Sequence, residues 1–130
     1  MKIVRFHATE DGESHFMELD IPLAHVQQDA FGNSIRFSNG YASPHVRFVE
    51  LPEGLVQEWH GPSSRQIVVV LSGVLEVSMS DQETRQWRAG DVFLADDVTG
   101  KGHTTRVVEG PVRLLVVALP SEFAPERWST

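Results

Sequence analysis

Cysteine is absent from the 130-residue chain, which excludes a disulfide framework, a thiolate metal site and a cysteine nucleophile. Any metal would have to be held by imidazole, carboxylate or amide groups. Basic residues are few, 11 Lys and Arg against 18 Asp and Glu, giving a formal charge of −7. That balance opposes the phosphate neutralisation on which nucleic-acid binding depends, and it makes an anionic membrane an equally poor partner. No apolar run approaches the ~20 residues that span a bilayer as a helix. The first residues, MKIVRFHATEDGESHF, hold no apolar stretch of the signal-peptide kind, so a soluble, cytoplasmic protein is expected. Also missing are a Gly-x-Ser-x-Gly elbow, a phosphate-cradling loop, internal repeats and low-complexity tracts. Long amphipathic helical periods are lacking too; only Pro22–Ala30 and the tail Ser121–Thr130 have room for a helical turn. The length suits one domain with a core of its own, and a single domain over residues 1–130 follows.

What is present is a succession of short segments rich in Val, Ile, Leu, Phe and Thr, punctuated by Gly, Pro, Asn and Asp. The pattern predicts strands at Ile3–Phe6, His15–Leu19, Ser34–Phe37, His45–Leu51, Leu55–His60, Gln66–Leu71, Val74–Met79, Thr84–Trp87, Asp91–Ala95, His103–Val108 and Val112–Leu119. Two of them, Gln66–Leu71 and Val112–Leu119, are near-continuous apolar runs, as expected of central strands covered on both faces. Val74–Met79 instead alternates, with Leu75, Val77 and Met79 on one face and Glu76 and Ser78 on a wet one. Many short strands joined by tight turns make an all-β sandwich or barrel.

The middle of the chain carries more specific information. Trp59-His-Gly-Pro-Ser-Ser-Arg-Gln66 is followed by Gly73, and Gly90-Asp-Val-Phe-Leu-Ala-Asp-Asp97 runs on to Gly102-His103. In order and spacing these resemble the two motifs of the cupins, over roughly Val46–Leu119. The match is to a small, single-domain, type-2-like cupin with a degenerate first motif. His60 takes the place of the first histidine, Pro62 that of the second, Gln66 that of the glutamate, and Gly73 keeps its seven-residue spacing from Gln66. Gly90 and His103 match the second motif, while Asp96 and Val98 replace its usual proline and glycine. The resemblance implies a double-stranded β-helix, or jelly-roll barrel, with His60 and His103 facing its interior, and a homodimer. Cupins include metal-dependent dioxygenases, isomerases, epimerases, decarboxylases, storage proteins and small-molecule sensors, so fold alone does not fix function.

The family's metal centre is a cluster of three histidines and a glutamate, suited to Fe, Mn, Zn or Ni. Here two imidazoles remain, Gln66 offers only a neutral carbonyl oxygen, and Pro62 offers nothing. The candidate metal ligands are therefore His60, His103 and Gln66. A substitute carboxylate would come from Glu58, which strict strand alternation puts on the same face as His60, or from Asp97. Without a metal, His60, Gln66 and His103 are polar contacts in a pocket. Arg47 and Arg65 are candidates to hold an anion at its mouth, or else surface residues. Asp97 otherwise caps backbone N–H groups in its loop, and Trp59 packs in the wall or lines the rim. His7, His15, His25 and His45 receive no role. Three readings follow: a binding or sensing module for a small, anionic metabolite; a metal-dependent enzyme of dioxygenase or isomerase type; and a packed barrel that serves assembly.

Overall fold

The computed structural model describes residues 1–128. Ten strands follow in order: β1 (Lys2–Ala8), β2 (Ser14–Asp20), β3 (His25–Gln28), β4 (Ser34–Phe37), β5 (Val46–Leu51), β6 (Val56–His60), β7 (Gln66–Met79), β8 (Thr84–Trp87), β9 (Val92–Ala95) and β10 (His103–Ala118). A short 3-10 helix, Pro125–Trp128, closes the described chain. No helix among the described residues is long and apolar enough to cross a membrane.

Two long strands organise everything else. Each was expected as two pieces, Gln66–Leu71 with Val74–Met79 and His103–Val108 with Val112–Leu119, but each runs on as one. Their first and second halves belong to different sheets. The N-terminal half of β7 and the C-terminal half of β10 pair in a layer ordered β2-β1-β9-β7-β10-β5. Their other halves pair in a second layer flanked by β8 and β6. All these pairings are antiparallel except β1 with β9. The result is a jelly-roll barrel, with the inner faces of both layers turned towards each other.

The bend in β7 depends on Gly73. Its φ is +81°, and a Cβ there would lie 2.7 Å from the carbonyl oxygens of both Glu109 and Pro111, so glycine alone lets β10 cross this closely. Gly73→Ala is expected to lower the unfolding free energy by about 1–3 kcal/mol, read from urea unfolding.

The apolar residues of alternate positions fill two cores. Inside the barrel, Phe6, Phe16, Val70, Leu75, Val77, Met79, Trp87 and Phe93 pack together. Outside the six-stranded layer, Ile3, Leu19, Ile21, Leu94, Leu119, Phe123 and Trp128 form a second cluster, against which Ile67 and Tyr41 pack. The apolar run of β7 is thus covered on both sides. The C-terminal turn is docked through Phe123 and Trp128, whose rings meet at 4.8 Å; residues 129–130 of the expected turn lie outside the described residues.

One expectation is corrected here. Pro22–Ala30 makes no helical turn: His25–Gln28 is a strand, paired in register with Ser34–Phe37 as a hairpin. Asp29 holds that turn by accepting bonds from the backbone N–H groups of Phe31 and Asn33, an arrangement that substitutes for hydrophobic alternation, which the segment lacks.

Candidate functional site

Between the two layers lies a cavity of about 390 Å³, within the range of ordinary small-molecule pockets. Its apolar wall comes from residues such as Phe6, Val68, Leu75, Phe93 and Leu114. Facing it are His45 just ahead of β5, Arg47 from β5, Gln57 and His60 from β6, and Gln66 from β7. His103 and Thr105 from β10, with Ser63 and Ser64 from the β6–β7 connection, complete the polar side.

His60 and His103 are partners across the β6–β10 ladder, with ring centroids 4.6 Å apart. His60 Nδ1 donates to the Glu58 carbonyl at 2.8 Å, and His103 Nδ1 donates to Asp97 Oδ2 at 2.5 Å. Both Nδ1 protons are thereby fixed, which leaves each neutral ring with Nε2 as its free acceptor. The Asp97 side chain is completely buried, and its Oδ1 has no hydrogen-bond partner among the described residues. A carboxylate behind an imidazole fixes the tautomer and the orientation of the ring.

This arrangement is built by the loop ahead of β10. Gly102 has φ +72°, and a Cβ on it would fall 2.1 Å from the His60 carbonyl oxygen, so only glycine lets the loop pass under His60 and deliver His103 beside it. Buried Ser14 donates to the Gly102 carbonyl at 2.6 Å. The Lys101 N–H donates to the Gly12 carbonyl at 2.9 Å, and Lys101 pairs with Glu13. The loop is therefore clamped to the β1–β2 hairpin. Asp96 and Asp97 are adjacent buried acids that serve opposite sides of the barrel wall: Asp97 binds His103, and Asp96 bridges Arg5 and Arg65.

A jelly roll whose two motif histidines meet inside, one from each motif, decides the architecture. The chain has the cupin fold. Solved structures similar to it include the conserved protein of unknown function SPY1581 from Streptococcus pyogenes, at 25% identity, covering 65% of this chain and 71% of that one, with a TM-score of 0.48. The cupin domain of Cnp3 from Schizosaccharomyces pombe is 16% identical, covering 93% and 84%, at 0.48. QdtA from Thermoanaerobacterium thermosaccharolyticum, a sugar 3,4-ketoisomerase in complex with TDP, is 15% identical, covering 80% of each chain, at 0.46. No family model matches the chain, and no curated protein matches it. The strand order of this chain itself is that of the fold.

Of the residues singled out from sequence, the cupin barrel brings His60, Gln66, His103 and Arg47 to the cavity. Glu58 and Arg65 are not among its lining residues, and each has a physical reason. The β6–β10 register pairs His60 with His103 but Gln57 with Thr105, so Glu58 and Trp59 together oppose Thr104. That bulge breaks the alternation on which the Glu58 expectation rested: Gln57, not Glu58, shares the cavity with His60, and the Glu58 side chain is exposed. Trp59, the neighbour of inward-facing His60, points outward and is half exposed rather than packed in the wall. Arg65 precedes inward-facing Gln66 and so points outward, where it pairs with Asp96 and donates to the Phe123 carbonyl at 3.1 Å. Asp97 holds an imidazole instead of capping a turn.

Five polar cavity residues escaped the sequence reading: His45, Gln57, Ser63, Ser64 and Thr105. Gln57 was hidden by the bulge. His45 was legible, because it keeps step with Arg47, Val49 and Leu51 along β5.

The donor set does not fit a tightly held divalent metal. Among the described residues there is no group of three or more His, Cys, Asp or Glu placed to hold one. Two imidazoles and the Gln66 amide fall short of the usual ligand set of a zinc or iron centre, and Asp97 is engaged by His103.

Proposed function

We propose that the cavity binds a small, anionic metabolite. The observation that carries this reading is Arg47: it is the one formally charged side chain among the cavity-lining residues, and it has no ion-pair or hydrogen-bond partner among the described residues. A guanidinium left free at the edge of an apolar pocket, in a chain of charge −7, is a two-pronged site for a carboxylate or phosphate. Gln57, Gln66, Thr105 and the Nε2 atoms of His60 and His103 give the rest of the ligand its polar contacts, and Phe6, Phe93 and the aliphatic wall enclose its apolar part.

Ligand-observed NMR on a panel of mono- and dicarboxylates and phosphomonoesters tests this reading. At least one member is expected to bind, to weaken about tenfold or more in Arg47→Ala, and to lose binding in His103→Ala. No binder in the panel, or binding indifferent to both changes, overturns it.

The buried Asp97–His103 pair favours a second reading, in which the bound metabolite also exchanges a proton with His103 Nε2. Asp97 would hold the ring's orientation and stabilise the imidazolium that forms. Solvent deuterium entering a carbon position of the bound panel member, and ceasing in Asp97→Asn while binding persists, is the expected sign. Metal content belongs in the same experiment: near one equivalent of metal, lost in both His60→Ala and His103→Ala, would replace these readings with a metal-dependent one.

A further inference from the structure

The polar groups of the cavity do not satisfy one another. Among the described residues, no hydrogen bond joins the side chains of Arg47, Gln57, Gln66, His60, His103 and Thr105 to each other. What they offer a guest is unequal. Arg47 only donates, whereas Gln57, Gln66 and Thr105 donate or accept. His60 and His103, whose Nδ1 protons are spent on the Glu58 carbonyl and on Asp97, only accept, through Nε2.

The donor and the two acceptors stand on opposite walls. In the six-stranded layer Arg47, Val116, Val68 and Phe93 form one inward row across β5, β10, β7 and β9. The facing layer carries His60 beside His103 and, further along, Gln57 beside Thr105. A guest lying on Val116, Val68 and Phe93 is therefore held between a guanidinium on one wall and a pair of imidazole acceptors on the other.

Two acceptors call for two donors on the guest. Ammonium and hydroxyl groups both donate to an imidazole nitrogen, but no Asp or Glu lines the cavity, and the Asp97 carboxylate is engaged on the far side of His103. An ammonium would share the cavity with Arg47 and find no counter-charge, which is costly away from water. Neutral hydroxyls meet the demand without that cost. The two rings lie 4.6 Å apart, so the hydroxyls they take sit on nearby atoms. On the opposite wall a single guanidinium, with no second cation lining the cavity, matches the one charge and the planar fork of a carboxylate better than a phosphate dianion.

We propose that the ligand is a hydroxy acid, a compact carbon skeleton whose carboxylate pairs with Arg47 and whose two nearby hydroxyls donate to His60 Nε2 and His103 Nε2. The inference rests on the anionic-metabolite reading and narrows it, because a plain carboxylic acid would leave both imidazole acceptors desolvated and unpaired.

Titration with ring compounds of similar size separates the demands. Quinate and glucuronate carry carboxylate and hydroxyls, cyclohexanecarboxylate the carboxylate alone, and myo-inositol the hydroxyls alone. At least one of the two hydroxy acids is expected to bind at least about tenfold tighter than cyclohexanecarboxylate and than myo-inositol, with or without chelator treatment of the protein. His60→Phe keeps a ring and frees only an exposed carbonyl; it should bring the hydroxy acid down to the level of cyclohexanecarboxylate, while Arg47→Ala weakens both acids. Cyclohexanecarboxylate binding as tightly as the hydroxy acids, and still depending on Arg47, overturns the hydroxyl requirement and leaves the anion reading standing. Inositol matching the hydroxy acids, with all of them indifferent to Arg47→Ala, overturns both. Failure of both hydroxy acids to bind, a preference untouched by His60→Phe, or one that disappears with the chelator also overturns this inference.

Discussion

Asp96→Ala is expected to lower the unfolding free energy by about 3–5 kcal/mol, the usual cost of removing one partner from a buried ion cluster. Its carboxylate is almost wholly buried and lies 2.5 Å from Arg5 Nη2 and 2.7 Å from Arg5 Nε, with Arg65 Nε on its other oxygen. Without it, the Arg5 guanidinium, itself 10% exposed, keeps a 3.3 Å contact with the well-exposed Glu126 and a weak bond to Met17 Sδ at 4.0 Å. The cost is mainly that of a cation left in a poorly solvated place, and not the worth of the pair. Urea unfolding measures it. A cycle with Arg5→Met makes the point sharper, because the double variant should be less damaged than the sum of the two single ones. Additivity would show that the two groups do not share one cluster.

The second large effect is expected at Phe6. Its ring is wholly buried, stacked on Phe93 at 4.4 Å and in edge contact with Phe16 at 5.4 Å and with His103 at 5.2 Å. Phe6→Ala should cost about 3–5 kcal/mol through lost burial and the void left behind. Phe6→Leu should recover more than half of it. Because Phe6 also lines the cavity beside His103, the alanine variant enlarges the pocket from its apolar side and removes the ring that backs the imidazole. Ligand affinity in the NMR panel should therefore fall in Phe6→Ala even at temperatures where the barrel remains folded. Stability within about 0.5 kcal/mol of the parent would mean that the core does not close around this ring.

Most of the barrel was legible because its strands obey local rules. Ser34–Phe37 and Thr84–Trp87 stand where the alternation and the flanking turns put them, and β7 and β10 were legible as pairs of segments. Their continuity was not, because Ser72-Gly73 and Glu109-Gly-Pro111 read as turns while the backbone merely bends there. β3 was missed because His25-Val-Gln-Gln28 has neither apolar alternation nor a buried face, and only its partner strand makes it a strand. In the site, His60, Gln66 and His103 were placed by motif spacing, and Arg47 was named for the match of a guanidinium to an anion. Glu58 failed because one inserted residue inverts parity, and such a bulge leaves no mark in composition. Arg65 is different. Sequence alone held the answer, since neighbours on an extended chain point to opposite faces and Gln66 had already been assigned inward.

The two continuous strands also set an order of events in time. β10 is hydrogen-bonded to β7, β5 and β6, yet it follows all three in sequence. Until it docks, β5 has no neighbour in its sheet, β6 has none at all, and the face that will hold His60 is open to water. Closure of the barrel must therefore wait for β10, one strand that docks against three others ahead of it in sequence. Such distant pairing folds slowly and leaves sheet edges open to wrong partners meanwhile. The pocket and the fold are completed by the same docking event.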